Sequence, residues 1–351
     1  MSGAGSLNIT GNYKHALASD DYIRFAASTG SLTLKAATDG IHANDGIYFE
    51  GGSFTIDAGN DGVQCDTATI VIDGGAITVT AAGDKGIVAY DTILINGGNI
   101  RISSEYKCIK TKSALIVNGG DVQVVCNGTS SGGGPGGGGF WAPPGGGPGG
   151  GGWDDDSSGN SPEGIEAKGT LTINGGIVYA QASDDAINSG GDLTINGGCV
   201  CAYSTGNDGI DANGDCYIKG GLVYAIGSRS PEVAIDANTE ERKQLYIQGG
   251  TLVAISSLES GASLTQSCYQ ASGSTNTWYA MTVGSETFAF KTPSSNASTI
   301  IVSGASKPSL YKGITPSGTD IFNGIGYYPA SYSGGSSVTL SNYSGNSGGW
   351  H

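Results

Sequence analysis

Short runs of alternating apolar and polar residues, each interrupted by a glycine pair, recur along most of this chain. In residues 69–79, one alternating run ends at Gly74 and Gly75, and a second run follows. The first glycines of these pairs lie at positions 51, 74, 97, 119, 175, 197, 220 and 249, mostly in steps of 22 or 23 residues. Such a period indicates units that bury their apolar faces by stacking on one another.

Each unit contains three apolar segments with period-two alternation, which is typical of β-strands. They are a short x-Gly-Ile-x-Ala strand, a strand before the glycine pair and a strand after it. At roughly 3.3 Å per residue, one unit makes a coil of about 70 Å, enough for three short strands and their turns. The chain is therefore predicted to be all-β, a right-handed parallel β-helix with rungs of about 22 residues. The predicted inward ladder of the first strand is Ile41, Val63, Ile87, Ile109, Ile165, Ile187, Ile210 and Ile235.

The predicted domain organisation follows from where this period holds and where it fails. Residues 1–258 form the β-helix, with residues 1–38 as a capping rung that follows the repeat imperfectly. Residues 127–162 are a glycine-rich loop inserted between rungs, because removing 34 residues restores a step of 22. Residues 259–351 lose the period, but alternating runs at 277–283, 287–291, 299–302 and 337–340 predict a small C-terminal β appendage.

A change in the outward residues predicts where this appendage packs. On the strand after the glycine pair, outward positions are polar in early rungs, as at Thr55, Asp57 and Arg101, and apolar in late rungs. An exposed apolar face of this extent requires a cover, so we expect the C-terminal segment to pack on the late rungs. The late outward residues are Ile177, Tyr179, Cys199, Cys201, Tyr203, Leu222, Tyr224, Ile226, Val253 and Ile255.

Asparagines and cysteines in the repeat have structural interpretations. An asparagine before the glycine pair tolerates the left-handed backbone of a sharp turn, and its amide can hydrogen-bond from rung to rung. None of the seven cysteines stacks on another in the inferred register, and Cys199 and Cys201 share one strand, so free thiols are expected. The asparagines of this position are Asn96, Asn118, Asn174 and Asn196.

The composition narrows the functional classes. A net charge of −15 argues against binding to nucleic acid or to anionic membranes, since few basic groups are present to release counterions. No apolar run has the length of a transmembrane helix, and the first residues contain no signal-peptide core. We expect a monomeric protein outside the cell or on its surface, with an export signal that is not among these residues.

The residues with the clearest chemistry lie beside the inward isoleucine of the first strand, where acids recur on rungs about 4.8 Å apart. Carboxylates at that distance repel by roughly 1 kcal/mol in water, and by several times more near an effective dielectric of 20. Oxygen ligands without a histidine or cysteine cluster favour calcium. The alternative is that Asp-Gly pairs are simply good turn residues on a solvated edge. The predicted calcium ligands are Glu163, Glu166, Asp184, Asp185, Asp208, Asp211 and Asp236, with a second group at Asp39, Asp61, Asp84 and Asp66.

The Asn-Asp-Gly-Ile and Ile-Asn-Gly-Gly repeats, the glycine-rich loop and the trailing β segment resemble the clostridial calcium-binding, carbohydrate-binding β-helix proteins. That family is structurally akin to pectate lyases of the single-domain β-helix type. The resemblance covers about residues 39–255. It implies a secreted or surface protein that binds plant polysaccharides, including acidic ones such as polygalacturonate. It also implies calcium bound by the acids of the repeat turns, which would let a protein of charge −15 hold a polyuronate.

The expected function is therefore non-catalytic polysaccharide binding, with two alternatives left open. A calcium-dependent pectate lyase would need a lysine base, for which Lys85, Lys107 and Lys110 are the candidates beside the acidic corner. A surface adhesin or structural spacer would use calcium only to stiffen the stack. The three histidines, at positions 15, 42 and 351, are expected to lie far apart in the repeat. The candidate glycan contacts are Phe140, Trp141 and Trp153 of the inserted loop, together with Lys107 and Lys110.

Overall fold

The repeat folds into coils of three short strands, and the strands of successive coils stack in parallel. The structure is a computed structural model that describes residues 1–129 and 161–345. The first coils contain β1 (Gly3–Gly11), β2 (Leu17–Ser19), β3 (Tyr22–Phe25), β4 (Thr29–Ala36), β5 (Ile41–Ala43), β6 (Gly46–Phe49), β7 (Ser53–Ala58), β8 (Val63–Cys65), β9 (Ile70–Ile72) and β10 (Ala76–Ala82).

The same three-strand coil continues on both sides of residues 130–160, which lie outside the described residues. Before this gap lie β11 (Lys85–Ala89), β12 (Ile93–Ile95), β13 (Asn99–Ser104), β14 (Lys107–Thr111), β15 (Leu115–Val117) and β16 (Asp121–Cys126). After it lie β17 (Glu163–Ala167), β18 (Leu171–Ile173), β19 (Ile177–Ala182), β20 (Ile187–Ser189), β21 (Leu193–Ile195), β22 (Cys199–Ser204), β23 (Ile210–Ala212), β24 (Cys216–Ile218), β25 (Leu222–Ile226), the 3-10 helix η1 (Thr239–Glu241), β26 (Leu245–Ile247) and β27 (Thr251–Ile255).

Three parallel sheets form the walls of the helix. Sheet A takes the strands after the glycine pair, in the order β1-β4-β7-β10-β13-β16-β19-β22-β25-β27. Sheet B takes the x-Gly-Ile strands, in the order β2-β5-β8-β11-β14-β17-β20-β23. Sheet C takes the strands before the glycine pair, in the order β3-β6-β9-β12-β15-β18-β21-β24-β26. The predicted parallel β-helix is confirmed.

The interior is filled by the side chains that strand parity predicts to point inward. Ile41 pairs with Val63 in register, and both side chains are fully buried. Because branched aliphatic residues repeat at one position, they stack as a continuous ladder along the axis. The first coils are filled by aromatic rings instead: Phe25 stacks on Phe49 at 5.0 Å, and Phe54 meets Phe25 edge-on at 4.7 Å between centroids.

The second glycine of each pair, and not the asparagine before it, supplies the left-handed residue of the turn. Gly198 has a φ of +84°, whereas Asn196 does not adopt a positive φ. A Cβ at Gly198 would lie 2.7 Å from the carbonyl oxygen of Gly176 on the rung below, so a side chain does not fit there. The expected left-handed asparagine is therefore wrong. The expected amide ladder is confirmed, since Asn196 Nδ2 donates to Asn174 Oδ1 at 2.8 Å and the same bond repeats on other rungs.

The C-terminal segment both extends the sheets and adds a barrel. Its strands are β28 (Ser263–Leu264), β29 (Cys268–Ser272), β30 (Trp278–Val283), β31 (Glu286–Lys291), β32 (Thr299–Ser303), β33 (Ser309–Asp320), β34 (Gly326–Ser337) and β35 (Ser341–Tyr343). β28 continues sheet C, while β32, β29 and β35 extend sheet A in the antiparallel direction. β30, β31, β34 and β33 close into a small antiparallel barrel.

The C-terminal strands were predictable only in part. The runs at 277–283, 287–291 and 299–302 correspond to β30, β31 and β32, but the run at 337–340 is wrong because residues 338–340 lie between strands. The two longest strands of the barrel, β33 and β34, have no alternating pattern and are rich in Ser, Gly and Thr. They pair with each other from Tyr311 and Ser337 to Asp320 and Tyr327, so backbone pairing decides their conformation.

The barrel covers the late outward face of sheet A, as predicted. Tyr224 is fully buried, and its ring lies 5.6 Å from Phe288 and 5.4 Å from Phe290 between centroids. The Tyr224 hydroxyl donates to the carbonyl of Lys291 at 2.9 Å. The sheet A residues buried in this interface are Tyr179, Cys201, Leu222, Tyr224, Ile226, Val253 and Ile255.

Two further features of the fold are the state of the cysteines and the character of the helices in the described residues. All seven cysteines are free thiols, as expected from their register, and Cys65 lies between Ala43 and Ala89 on the inward ladder. Within residues 1–129 and 161–345, no helix has the length and apolar character needed to cross a membrane.

Replacing the central tyrosine of the barrel interface should destabilise the protein. Tyr224→Ala leaves a cavity and an unpaired carbonyl, so the free energy of unfolding should fall by about 3–5 kcal/mol. Denaturant unfolding measures the change. Tyr13→Ala is the matched control, because Tyr13 is 94% exposed and should change the stability by at most about 0.5 kcal/mol. Equal stabilities of the two variants would contradict the docking of the barrel.

Candidate functional site

The acidic residues lie in two outward columns of sheet B. On each rung, the first column is two positions before the inward isoleucine, and the second column is directly after it. In the first column, Asp39 Oδ1 accepts from the backbone N–H of Asp61 at 3.2 Å, and Asp61 Oδ1 accepts from that of Lys85 at 2.9 Å. Asp185 Oδ1 accepts in the same way from Asp208 at 3.1 Å. One carboxylate oxygen of these acids therefore continues the hydrogen bonding between rungs, and the second oxygen of Asp39 and of Asp185 contacts side chains.

The first rungs pair the acid with histidines. His15 Nδ1 lies 2.8 Å and His42 Nδ1 lies 3.0 Å from Asp39 Oδ2. The two imidazole rings stack with their centroids 4.2 Å apart. The expectation that the histidines lie far apart is wrong for this pair, because His15 occupies the column of Asp39 one rung earlier.

The titration of this histidine group follows from its contacts. Burial opposes ionisation of Asp39, but hydrogen bonds from His42, Asn60 and the Asp61 backbone outweigh burial and lower the pKa of Asp39. The hydrogen bond to Asp39 raises the pKa of His42, whereas burial lowers the pKa of His15. Asp39 is therefore an anion held by nitrogen donors.

Lysines neutralise the acids of the middle rungs. Lys107 Nζ lies 2.8 Å from Glu163 Oε2 and 3.2 Å from Glu166 Oε2. Lys110 Nζ lies 3.6 Å from Glu166 Oε2, and Lys168 pairs with the other oxygen of Glu166. Burial opposes ionisation of Glu166, but these lysines outweigh it and lower its pKa, while burial and the charge of Glu166 raise the pKa of Glu163 to about 7. Glu163 and Glu166 thus already have cationic partners from the chain itself.

The early acids predicted as a second calcium group have different partners. Lys85 pairs with Asp84, and burial raises the pKa of Asp61 to about 7 against the attraction of Lys85. Asp66 Oδ2 lies 3.2 Å from His42 Nε2. Among the described residues, the groupings of a size that could hold a metal include neither Asp61 nor Asp84.

The late rungs carry acids that have no basic partner among residues 1–129 and 161–345. Asp208, Asp211 and Asp236 each offer a carboxylate oxygen, and these oxygens lie within 4.8 Å of one another. Asn188 Nδ2 links the rungs by donating to Asp185 Oδ2 at 3.1 Å and to Asp211 Oδ2 at 3.0 Å. In the described part of the chain, no ion pair involves these aspartates. We call Asp185, Asp208, Asp211 and Asp236 the upper acidic group.

Burial and mutual repulsion disfavour ionisation of the upper acidic group. Burial raises the pKa of Asp208 to about 8 and that of Asp211 to about 6, and neighbouring carboxylates add to both shifts. Burial and a hydrogen bond with Glu259 raise the pKa of Asp236 to about 10. Burial is the largest cause that raises the pKa of Asp185, and the charges of neighbouring acids raise it further. A cation between these oxygens would offset the repulsion, so the group suits a hard cation.

The remaining predicted site residues lie at the edge of these groups or outside the described residues. Asp184 lies in the turn beside the upper acidic group, where Asn207 Nδ2 donates to Asp184 Oδ1 at 2.7 Å. Lys107 and Lys110, predicted as a base or as glycan contacts, have side chains that are 5% exposed. The aromatic residues predicted to contact glycan, Phe140, Trp141 and Trp153, lie outside the described residues.

A cleft of about 560 Å³ lies where the uncovered part of sheet A meets the barrel. Outward residues of β10, β13 and β16 form its floor, and residues 320–323 form its wall. Gln123 Nε2 fastens the wall to the floor by donating to Ile321 O at 3.1 Å and to Asp121 Oδ1 at 2.9 Å. Arg101 pairs with Asp121 and keeps 38% of its side chain exposed. The polar lining residues are Thr78, Thr80, Arg101, Ser103, Asp121, Gln123, Asp320 and Asn323.

The outward face of sheet C carries a stripe that the sequence reasoning missed. Tyr217 and Tyr246 stack with ring centroids 4.8 Å apart, and Lys219 Nζ lies 4.7 Å from the centre of the Tyr217 ring. Parity on the strand before the glycine pair was the available signal, because the middle residue of each strand points outward. The column is Tyr48, Val71, Leu94, Ile116, Thr172, Thr194, Tyr217 and Tyr246.

These features define the class of the protein as a β-solenoid that presents polar side chains at regular intervals along rigid walls. One family profile matches the chain, that of the carbohydrate-binding domain-containing proteins, over residues 1–105 and 70–209. Together the two matches span residues 1–209 of 351, and the chain belongs to this family. The carbohydrate-binding part of the resemblance is thereby confirmed. No curated protein and no solved structure matches the chain.

Raising the pH should destabilise the metal-free protein through the upper acidic group. The folded pKa of Asp208, about 8, lies above the unfolded value near 3.9, so the folded state keeps a proton that the unfolded state loses. This contribution to stability is fully present below about pH 4 and is lost as the pH rises toward about 8. Asp208→Asn cannot ionise at this position. The melting temperature of the variant minus that of wild type should therefore become larger as the pH rises from about 5 to about 8.

Thermal unfolding in chelator at several pH values measures this difference. Asp20→Asn is the control for the same substitution at an exposed aspartate. A difference between Asp208→Asn and wild type that does not change with pH would contradict the assigned burial and repulsion.

Proposed function

We propose that the protein is a non-catalytic, extracellular polysaccharide-binding protein, and that it holds an acidic, polygalacturonate-like plant glycan in the cleft. The observation that carries this proposal is the placement of Arg101, Asp121 and Gln123 on the cleft floor. Their guanidinium, carboxylate and amide groups complement the carboxylates and hydroxyls of an acidic sugar chain. The family match supports sugar binding, and the protein is proposed to act as a monomer.

The regular floor of the cleft suits a polymer better than a small ligand. It crosses three rungs of sheet A, which lie about 4.8 Å apart, so equivalent outward positions recur along it. A chain of repeating sugar units can therefore meet polar side chains at a constant interval. Because these side chains stand on paired strands, little conformational freedom is lost when the glycan binds.

Calcium is proposed to bind at the upper acidic group. Asp208, Asp211 and Asp236 offer three converging oxygens, and water can complete the six to eight ligands that calcium takes. The binding of a divalent cation would offset the burial and the repulsion that together raise the pKa of Asp208. It would also reduce the net charge of −15, which otherwise repels a polyuronate.

The contacts of the lysines support binding over cleavage. A lyase needs a neutral lysine beside the sugar, whereas Lys107 Nζ lies between two carboxylates, which favours the ammonium form. Lys110 is buried against Glu166, and Lys85 pairs with Asp84. These contacts favour the non-catalytic function over a lyase. A structural spacer, the third alternative, has no use for a polar cleft.

Calcium added to chelator-treated protein should bind and raise the melting temperature. Asp208→Asn and Asp211→Asn each remove a charge while keeping an oxygen, so each should weaken calcium binding by about 10- to 100-fold. Titration calorimetry measures the affinity, with Asp20→Asn as the exposed control. Calcium uptake that is unchanged in both upper variants would place the ion elsewhere.

Polygalacturonate retention should depend on the guanidinium in the cleft. Arg101→Gln removes charge-assisted hydrogen bonds and should weaken retention by about 10- to 100-fold in affinity electrophoresis. The matched control is Arg24→Gln, which removes an exposed guanidinium paired with Glu50 on sheet C and changes the net charge equally.

Other outcomes of the same experiment separate the alternatives. Loss of retention in Tyr217→Ala with Tyr246→Ala, but not in Arg101→Gln, would move the glycan to sheet C. Release of unsaturated, ultraviolet-absorbing products would replace the binding function with a lyase. Absence of retention on a polysaccharide panel, with and without calcium, would favour the spacer.

A further inference from the structure

The histidine group of the first rungs differs in chemistry from every other part of the acidic columns. Elsewhere in the described columns, the acids contact lysines, amides or other carboxylates, but Asp39 Oδ2 contacts two imidazole nitrogens. Calcium and magnesium prefer oxygen ligands, whereas imidazole suits zinc, copper and nickel. The group therefore calls for a different ion from the upper acidic group.

The three atoms stand close to the positions that a tetrahedral metal ion requires. His15 Nδ1 and His42 Nδ1 lie 2.8 and 3.0 Å from Asp39 Oδ2, and each of the three residues offers one ligand atom within 4.8 Å of those of the other two. Ligands at roughly 2.0–2.1 Å from zinc lie about 3.3 Å apart in a tetrahedron. An opening of a few tenths of an ångström would therefore admit the ion.

A second carboxylate fixes the orientation of one imidazole. His42 Nε2 lies 3.2 Å from Asp66 Oδ2, on the side of the ring opposite to Asp39. Ligating histidines commonly donate their other ring N–H to a carboxylate, which leaves the first nitrogen free to bind the metal. Thr38 Oγ1, 3.2 Å from His15 Nδ1, is a further polar neighbour of the site.

The site is both anchored and accessible. Asp39 is held through its other oxygen by Asn60 Nδ2 at 2.9 Å, and its side chain is only 4% exposed. The side chains of His15 and His42 are 21% and 18% exposed, so an ion can reach them from solvent. His15 and Asp39 lie two residues before β2 and β5, and His42 lies in β5, at one end of sheet B, whereas the upper acidic group lies at the other end.

We propose that His15, Asp39 and His42 bind one divalent transition-metal ion of the zinc class, with Asp66 as the positioning residue of His42. The ion replaces the protons that the imidazoles share with Asp39, and water fills the open fourth position. It joins two neighbouring rungs at the start of the solenoid and is independent of calcium at the upper acidic group.

Zinc titration of the full chain in saturating calcium tests the proposal, since calcium occupies the acidic positions that zinc could otherwise take. One zinc ion should bind per chain, and cobalt in its place should give the intense visible absorption of a tetrahedral site. His15→Ala and His42→Gln should each weaken zinc binding by more than about 100-fold, and Asp66→Asn by about 10- to 100-fold.

Glutamine is chosen at position 42 because Gln64 occupies the equivalent place on the next rung, so the variant should fold. His351→Ala is the matched control and should bind zinc as wild type does. Absence of zinc binding, or binding that His15→Ala and His42→Gln leave unchanged, would overturn the proposal. Zinc binding that Asp66→Asn leaves unchanged would overturn the role of Asp66. The variants should retain calcium and glycan, so failure here is distinguishable from failure of the proposed function.

Discussion

In-register stacking of parallel coils is the constraint on which the rest of this structure depends. Each strand hydrogen-bonds to the equivalent strand of the next coil, so each side chain lies about 4.8 Å from its counterpart. Stacked isoleucines gain apolar contact from this arrangement, and stacked asparagines gain a chain of amide hydrogen bonds. Because of this spacing, the contribution of a side chain to stability depends chiefly on the side chains directly above and below it.

The same register brings acidic side chains of neighbouring rungs close together, so they repel one another. Their surroundings differ at three places along one corner. Histidines hold Asp39 on the first rungs, and lysines hold Glu163 and Glu166 on the middle rungs. The upper acidic group has no basic partner among the described residues, and burial together with neighbouring carboxylates raises the pKa of Asp208. One continuous corner therefore offers nitrogen-rich, neutralised and oxygen-rich environments in succession.

The outward face of sheet A changes from polar to apolar part of the way along, and this change forms the cleft. Its late rungs are apolar and receive the barrel, with Tyr224 packed against Phe288 and Phe290. Its early rungs stay polar and open. The cleft lies at the boundary, where Gln123 of the floor bonds Ile321 of the wall. The barrel thus has two roles, since it covers an apolar face and also turns a flat wall into a groove.

The sequence by itself determined the solenoid, its inward ladders, the free thiols and the docking of the C-terminal segment. It could do so because period and parity assign a facing to every position of a repeat. Only the tertiary structure decided which acids are neutralised, since Lys107 meets Glu163 across 56 residues and His15 meets Asp39 from an imperfect first rung. It also decided that β33 and β34 are paired strands. The position of the cleft wall is likewise tertiary, because Gln123 and Ile321, which bond to each other there, are 198 residues apart. A repeat predicts contacts between equivalent positions. It does not predict the reach of long side chains or the pairing of segments that lie outside the repeat.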